Sequence, residues 1–478
     1  MGNPLTKLFG QTALYGLSSV LARLLNFLLV PLYTRIFAPD EYAVVIEFYA
    51  YAVFLAVLLT YGLETAYFRF SSSKDEQKVF GTANSSVLIS SLLFFLVILI
   101  GLQPIADALL YPNHPEYVLL FAGILALDAI SAIPMARLRN QGKALLFASL
   151  RFSSIIINIG LNLLWLVFLP KWNLDLPNWL YSPGLGVYYI FLANLISSLF
   201  LFLALLPQIL SHLQLDKALL NKLLKYSWPL LLAGLAGAIN ETLDRALLKY
   251  LLPKGEAMYE LGVYGACYKL AIFMTLFVQA FRLGAEPFFF QQGKGENNLK
   301  SIAKATHFFT LAGCFIFLLI NFFLDFFKGF VDEEYHGGLE VVPILLAANL
   351  FLGLYINLSI WYKLSDKTKY AAMFAFIGAS LTLVINLWGI PKYGYMASAW
   401  ATFVAYLAMF LCSFILGKKK YPIPYQWKKL LGYMLFSILL YFFIPKLPLN
   451  SYVAGSIGLL IFGGVAFILE RKQFKKLA

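Results

Sequence analysis

The sequence predicts an all-α polytopic membrane protein of about 14 transmembrane helices, built as two pseudo-symmetric six-helix lobes plus a C-terminal helix pair. Three observations predict it. The 478 residues are 61% hydrophobic and only 13% charged, with mean hydropathy +0.76, whereas a soluble domain is nearer half apolar and a quarter charged. Apolar runs of about 20 residues, each enough to cross the ~30 Å hydrocarbon core as a helix, recur from end to end. Finally, Gly62-Leu63-Glu64 with Ala66-Tyr67-Phe68 recurs 222 residues later as Gly284-Ala285-Glu286 with Phe288-Phe289-Phe290.

The runs lie roughly at 9-33, 42-68, 79-101, 117-137, 145-169, 185-207, 226-251, 262-283, 303-324, 339-361, 370-390, 395-416, 428-445 and 452-469. The first is too long for a signal peptide and lacks a small-residue cleavage site. The repeat relates the first two spans to the seventh and eighth. The 222-residue offset also maps Tyr42 onto Tyr264 and Glu47 onto Lys269, and an offset of 214 maps Asn26 onto Asn240, Arg35 onto Lys249 and Pro39 onto Pro253. Order and constant spacing make a duplicated helical module the better reading of identities that are individually weak. The expected lobes are therefore 1-210 and 217-417, with 428-469 as an extra pair. Spans 1 and 7 start on the same side, so the pseudo-two-fold runs along the membrane normal and a cavity between lobes is the expected binding site.

Charge gives the orientation. The Lys and Arg cluster in alternate connections: Arg69/Lys74/Lys78, Arg137/Arg139/Lys143/Arg151, Lys217/Lys222/Lys225, Arg282/Lys294/Lys300/Lys304, Lys363/Lys367/Lys369, Lys418 to Lys420 with Lys428/Lys429, and the C-terminus. The other connections carry far fewer. This is the positive-inside pattern and predicts both termini in the cytoplasm. The +13 net charge is thus topological, with no nucleic-acid partner implied. Trp172, Trp179 and Tyr181 mark an interfacial belt on the outer side. Cys267, Cys314 and Cys412 fall within spans and imply neither disulfide nor metal. His307, near the inner start of span 9, reads as interfacial. No nucleotide-binding loop or other cofactor motif is present. The acidic clusters Asp40/Glu41 and Asp332/Glu333/Glu334 sit in short loops without a nucleophile or base, which argues against a membrane-embedded polysaccharide enzyme.

Ionisable groups inside apolar runs are the candidate site. Arg23 lies about 14 residues, or ~21 Å, into span 1, too deep to snorkel easily. It either lines a cavity, where its planar fork suits a phosphate, or pairs structurally with Asp128 in mid-span 4. Glu241, Asp244, Arg245 and Lys249 form one stripe on span 7, either pairing internally or facing the cavity. Lys269 and its repeat partner Glu47 either pair across the lobes to close the outer side, or Lys269 pairs locally with Glu241 or Asp244. Glu64 and Glu286, near the inner ends of their spans, are expected to hold an inner gate with Arg69, Arg137 or Arg282, or to pack as helix ends. Asn26, Asn240, Asn349, Asn357 and Gln279 are candidates for sugar hydroxyls or for helix–helix hydrogen bonds.

The segment from Arg23 through Pro31, Arg35, Pro39 and Tyr42 resembles the start of polysaccharide-type flippases of the multidrug/oligosaccharidyl-lipid/polysaccharide exporter superfamily. So do Asp244-Arg245 followed by Val263 to Ala271, and the run Phe281 to Phe288. The resemblance covers about 9 to 417. It implies a MATE-like fold and a bacterial inner-membrane flippase for undecaprenyl-diphosphate-linked oligosaccharide, serving surface polysaccharide or cell-wall assembly. Fourteen spans look more like the lipid II flippase branch than the O-antigen branch. The implied partners are the lipid-linked oligosaccharide, membrane lipids and H+ or Na+, with the protein working as a monomer and not as an enzyme. On this reading Arg23, Lys269, Arg245, Asn26, Asn240 and Glu241 bind substrate. Asp128, Glu47, Asp244, Glu64, Glu286 and Arg282 couple ions or gate. The alternative is a MATE-type cation-coupled antiporter of small molecules.

Overall fold

A computed structural model describes residues 20–21, 24–71, 75–172, 176–177, 181–291, 296–365, 367 and 369–474. Those residues form helices and connections without a strand. The helices are α1 (Val30–Ile36), α2 (Pro39–Thr60), α3 (Leu63–Ser71), α4 (Glu76–Ile100), α5 (Leu102–Ala108), α6 (Pro115–Asn140), α7 (Ala144–Leu163), α8 (Leu169–Trp172), α9 (Gly186–Ser211), α10 (Lys217–Leu251), α11 (Ala257–Leu270), α12 (Ile272–Gln291), α13 (Glu296–Phe322), α14 (Leu324–Phe327), α15 (Val341–Leu358), α16 (Ile360–Leu364), α17 (Lys369–Tyr393), α18 (Tyr395–Lys420), α19 (Trp427–Phe443) and α20 (Ser451–Phe474).

Among the described residues, 11 helical stretches are long and apolar enough to cross a membrane, or 12 if α11 and α12, bent by 46°, count as one broken span. Two further runs that the sequence expectation of about 14 includes do not enter that number. Much of the first run lies outside the described residues, leaving Leu24–Ile36 as a shorter apolar helix. And α10, although 35 residues long, has its apolar run diluted by Asn240, Glu241, Asp244, Arg245 and Lys249.

The chain forms two compact units that divide between Ala246 and Leu247, inside α10. In the N-terminal unit, α6 is the central helix. Its Ile130, Met135 and Leu138 pack with Phe147 of α7 and Leu201, Leu205 and Ile209 of α9. A second apolar centre forms around Phe48 of α2, whose ring lies 5.1 Å from Phe121 and 5.2 Å from Phe191. Tyr33 donates a hydrogen bond to Asn162 Oδ1 at 3.0 Å, tying α1 to α7. The 211–216 connection is stapled to α4 by Lys78–Asp216 at 2.6 Å. That contact, with the Leu219 N–H, holds the Asp216 carboxyl below its usual pKa.

The C-terminal unit packs α15 against α18 and α18 against α17. Small residues allow the approach: a Cβ on Gly389 would meet Ala397 Cβ at 2.8 Å, and one on Gly353 would meet Phe309 at 2.3 Å. Asn386 accepts from Ser398 Oγ at 2.8 Å, linking α17 and α18. The Glu333–Gly338 turn docks on α11, with Cys267 Sγ donating to the Tyr335 carbonyl at 3.2 Å. The last pair, α19 and α20, packs on α13.

The repeated Gly-x-Glu motif takes two conformations. Tyr61 (φ 32°) and Gly62 (φ 74°) are left-handed and separate α2 from α3, whereas Gly284 lies inside α12 with no neighbour within 4 Å of a would-be Cβ. Alanine should therefore act in opposite directions at equivalent positions. Gly62→Ala meets the left-handed penalty of about 1–2 kcal/mol and a Ser227 carbonyl at 3.2 Å. Gly284→Ala gains about 0.5–1 kcal/mol by removing a helix-interior glycine. Melting temperatures of the purified variants should fall and rise respectively; equal shifts would contradict the assigned conformations.

Candidate functional site

Glu47 of α2 is completely buried, and a carboxylate there must be hydrogen-bonded. Tyr51, one turn on, donates to Oε1 at 2.5 Å, and Tyr111 donates to Oε2 at 2.5 Å. Next to it, a hollow of about 400 Å³ is lined by apolar side chains such as Phe54, Phe94, Phe121 and Leu125 together with Tyr51. It offers no charge, so it is no place for a diphosphate.

Asp128 of α6 behaves differently. It is exposed, with Ser198 of α9 hydrogen-bonded to its carboxylate and Arg151 of α7 near enough to act on its charge. Tyr49 of α2 is close enough to feel its charge, is itself 37% exposed and accepts from Asn194 Nδ2 at 2.5 Å. Tyr49, Asp128 and Asn194 thus form a polar cluster within the N-terminal unit.

At the Lys/Arg-rich end of the same unit two arginines have separate tasks. Arg137 is buried; its Nε and Nη2 reach the two oxygens of Glu76 at 3.1 and 3.2 Å. Its guanidinium lies 4.1 Å from the centre of the Phe80 ring. Tyr67 donates to the same Glu76 at 2.6 Å. Arg139 instead bonds Glu64, in a pair whose side chains are 34% and 41% exposed. The expected Glu64 partners were Arg69, Arg137 or Arg282; the structure gives Arg139, because Arg137 is committed to Glu76.

Along α10, the predicted stripe changes environment. Glu241 is exposed, Arg245 half-buried, Asp244 and Lys249 buried. Asn240 is buried too, and Asp244 Oδ1 accepts from the Arg245 N–H at 2.9 Å. Lys269 is exposed at the end of α11, where the chain bends by 46° into α12. The Ala271 N–H folds back onto the Tyr268 and Lys269 carbonyls. A cation at a helix C-terminus is favoured by the dipole, and broken spans are where transporters bind ligands. Asn26 is exposed just before the turn at Leu28–Leu29, and Arg282 is exposed on α12. Arg23, the Glu286 side chain and Trp179 lie outside the described residues.

Of the remaining polar candidates, Asn349 bonds the Leu345 carbonyl at 2.8 Å and Thr275 at 3.4 Å, which is helix packing. Sequence reasoning missed Glu76, Tyr111 and the cluster around Glu470. His307, expected at an interface, is 3% exposed, with Nε2 3.1 Å from Glu470 Oε1.

Solved structures with this fold define the class. The lipid II flippase MurJ in an inward closed conformation matches with TM-score 0.70 at 16% identity, over 96% of this chain and 99% of that one. The MATE multidrug transporter DinF-BH matches with TM-score 0.62 at 16% identity, over 87% and 96%. A MOP-superfamily transporter from Pyrococcus furiosus gives 0.55 at 13%, over 87% and 96%. The chain is a multi-pass membrane protein with the flippase and transporter fold of the multidrug/oligosaccharidyl-lipid/polysaccharide exporter superfamily. Residues 9–292 match the model of the polysaccharide biosynthesis protein family, and the chain belongs to that family. No curated protein sequence matches it.

The two arginines should separate on mutation. Arg137→Ala strands Glu76 and should cost about 2–3 kcal/mol, less than a fully buried pair because Glu76 is partly exposed; adding Glu76→Gln should recover most of it. Arg139→Ala removes an accessible pair and should cost at most about 1 kcal/mol. Equal melting temperatures for the two single variants would refute this division.

Proposed function

We propose that the protein is a flippase that carries undecaprenyl-diphosphate-linked oligosaccharide across the bacterial inner membrane by alternating access. The cargo would serve surface polysaccharide or cell-wall assembly. The observation that carries this reading is Lys269, an accessible cation at the break of a bent span in a member of the polysaccharide biosynthesis family. Unassisted passage would strip a sugar head and diphosphate of solvation at a cost of many kcal/mol. Cations along a wet wall replace that solvation while the prenyl tail stays in lipid.

In this scheme Arg23, Lys269 and Arg245 neutralise the diphosphate, and Asn26, Asn240 and Glu241 face the sugar. Asp128, exposed within its polar cluster, takes and releases the coupling ion, H+ or Na+. Glu47 and Asp244 fix the helices that move. Glu64, exchanging its Arg139 partner, and Glu286 with Arg282 supply the inner contacts that open. The moving bodies are the six-span lobes 1-210 and 217-417, with 428-469 as an added pair. Positive-inside charge places both termini in the cytoplasm, and one chain suffices for transport. Family and fold both support transport rather than catalysis.

Export of lipid-linked sugar by cells carrying single variants tests the scheme. Even at an effective dielectric of about 20, a charge pair near 4 Å is worth about 4 kcal/mol, and about 1.4 kcal/mol is tenfold in rate. Arg23→Ala and Lys269→Ala should each reduce export by orders of magnitude at near-normal abundance. Arg23→Lys should fall between, keeping the charge and losing the fork. Normal export by a stably inserted Arg23→Ala/Lys269→Ala double variant would rule the reading out. Extrusion of a cationic dye lost in Asp128→Asn, with sugar export unchanged, would favour the MATE-type antiporter.

A further inference from the structure

Helices α13, α19 and α20 meet around one buried carboxylate. Glu470 is fully buried; Lys429 Nζ donates to its Oε1 at 3.0 Å and Tyr433 donates to the same oxygen at 2.8 Å. His307 Nε2 lies 3.1 Å from the same oxygen. Beyond His307 opens a hollow of about 320 Å³ whose wall is Lys300, Ala303, Lys304, His307, Pro424 and Gln426. Neither lysine belongs to the candidate transport site.

The wall has the composition of an anion site. Lys300 and Lys304 are one turn apart on α13, so their ammonium groups share a face. Gln426, exposed at the start of α19, supplies an amide donor. His307 is 3% exposed and forms the inner wall of the hollow. The volume lies at the lower end of the roughly 300–1,000 Å³ typical of ligand pockets. Basic pockets between spanning helices are suited to lipid phosphates. Beside this one, Leu431, Leu435, Ile438 and Phe442 leave an apolar face of α19 exposed, along which acyl chains can run.

We propose that this hollow is a binding site for a phosphate group, held by Lys300, Lys304 and Gln426 outside the transport route. The source is either an anionic lipid headgroup or free phosphate. Native mass spectrometry of the full chain in detergent, titrated with short-chain phosphatidylglycerol, phosphatidylcholine or inorganic phosphate, tests it. Phosphatidylglycerol should bind at least about tenfold more tightly than phosphatidylcholine, since only its phosphate charge is uncompensated. Lys300→Gln/Lys304→Gln should remove that preference. The charge-matched control Lys418→Gln/Lys419→Gln, on the far side of the 421–426 connection, should keep it. Displacement of phosphatidylglycerol by millimolar inorganic phosphate would identify free phosphate as sufficient; failure to displace would identify the lipid. Equal binding of the two lipids, or equal loss in both double variants, would overturn the proposal.

Discussion

Hydrocarbon solvates no charge, and the arrangement of this chain follows from where it puts the charges its spans contain. Among the described residues several carboxylates are fully or largely enclosed, and three of them take side-chain donors, Glu47 from its own helix and the connection before α6, the other two from neighbouring helices. Glu47 takes two tyrosine hydroxyls, Glu76 takes the Arg137 fork and Tyr67, and Glu470 takes Lys429 and Tyr433. These bonds pin segments that apolar packing alone would leave free to slide, with Glu470 Oε2 left buried and without a protein partner. Asp128 and Lys269 are instead left accessible. Asp128 takes a bond from Ser198 and Lys269 sits at the C-terminal end of α11, so these two charges are held at exposed positions and not enclosed.

The two segments that the 222-residue offset pairs break at different places. In the first copy the chain turns at Tyr61–Gly62, where positive φ at both residues ends one helix and starts the next. In the second, the equivalent glycine is helical, and the bend falls earlier, at Ala271, next to Lys269. The equivalent of Lys269 is Glu47, inside an unbroken α2. An acidic side chain in mid-helix has no dipole to gain from a C-terminus, whereas a lysine does. Equivalent positions have therefore diverged in charge and in backbone together.

Much of the fold was legible because run length and hydrophobicity are one-dimensional. The run 117-137 became Pro115–Asn140 and 395-416 became Tyr395–Lys420. Legibility failed where polarity broke the run, as in α10, which is helical through 35 residues but too polar to count as an apolar span. Individual site residues were picked out by charge inside an apolar run, and Glu47, Asp128 and Lys269 do occupy distinctive environments. Their partners were not legible. Tyr111 is 64 residues from Glu47 and Glu76 is 61 from Arg137, so pairing depends on how each helix is rotated about its axis. A single sequence records that rotation poorly when helices are apolar all round. Arg137 and Arg139 illustrate the limit: two residues apart, they point to different carboxylates.

The contrast between those two arginines bears on how a carrier of this fold would change state. Alternating access requires conformations that differ by only a few kcal/mol, so that cargo and ions shift the population. Contacts that open in each cycle must then be weak, and contacts within a moving body must be strong. An accessible Arg139–Glu64 pair, worth at most about 1 kcal/mol, can break without stalling the cycle; the Arg139 Nε, buried without a partner, already offsets part of its value. The enclosed Arg137–Glu76–Tyr67 network cannot open on that scale and belongs to the rigid part of α3, α4 and α6. Two residues apart on α6, one arginine thus holds α3, α4 and α6 together, while the other leaves the Glu64 carboxylate able to exchange partners at little cost.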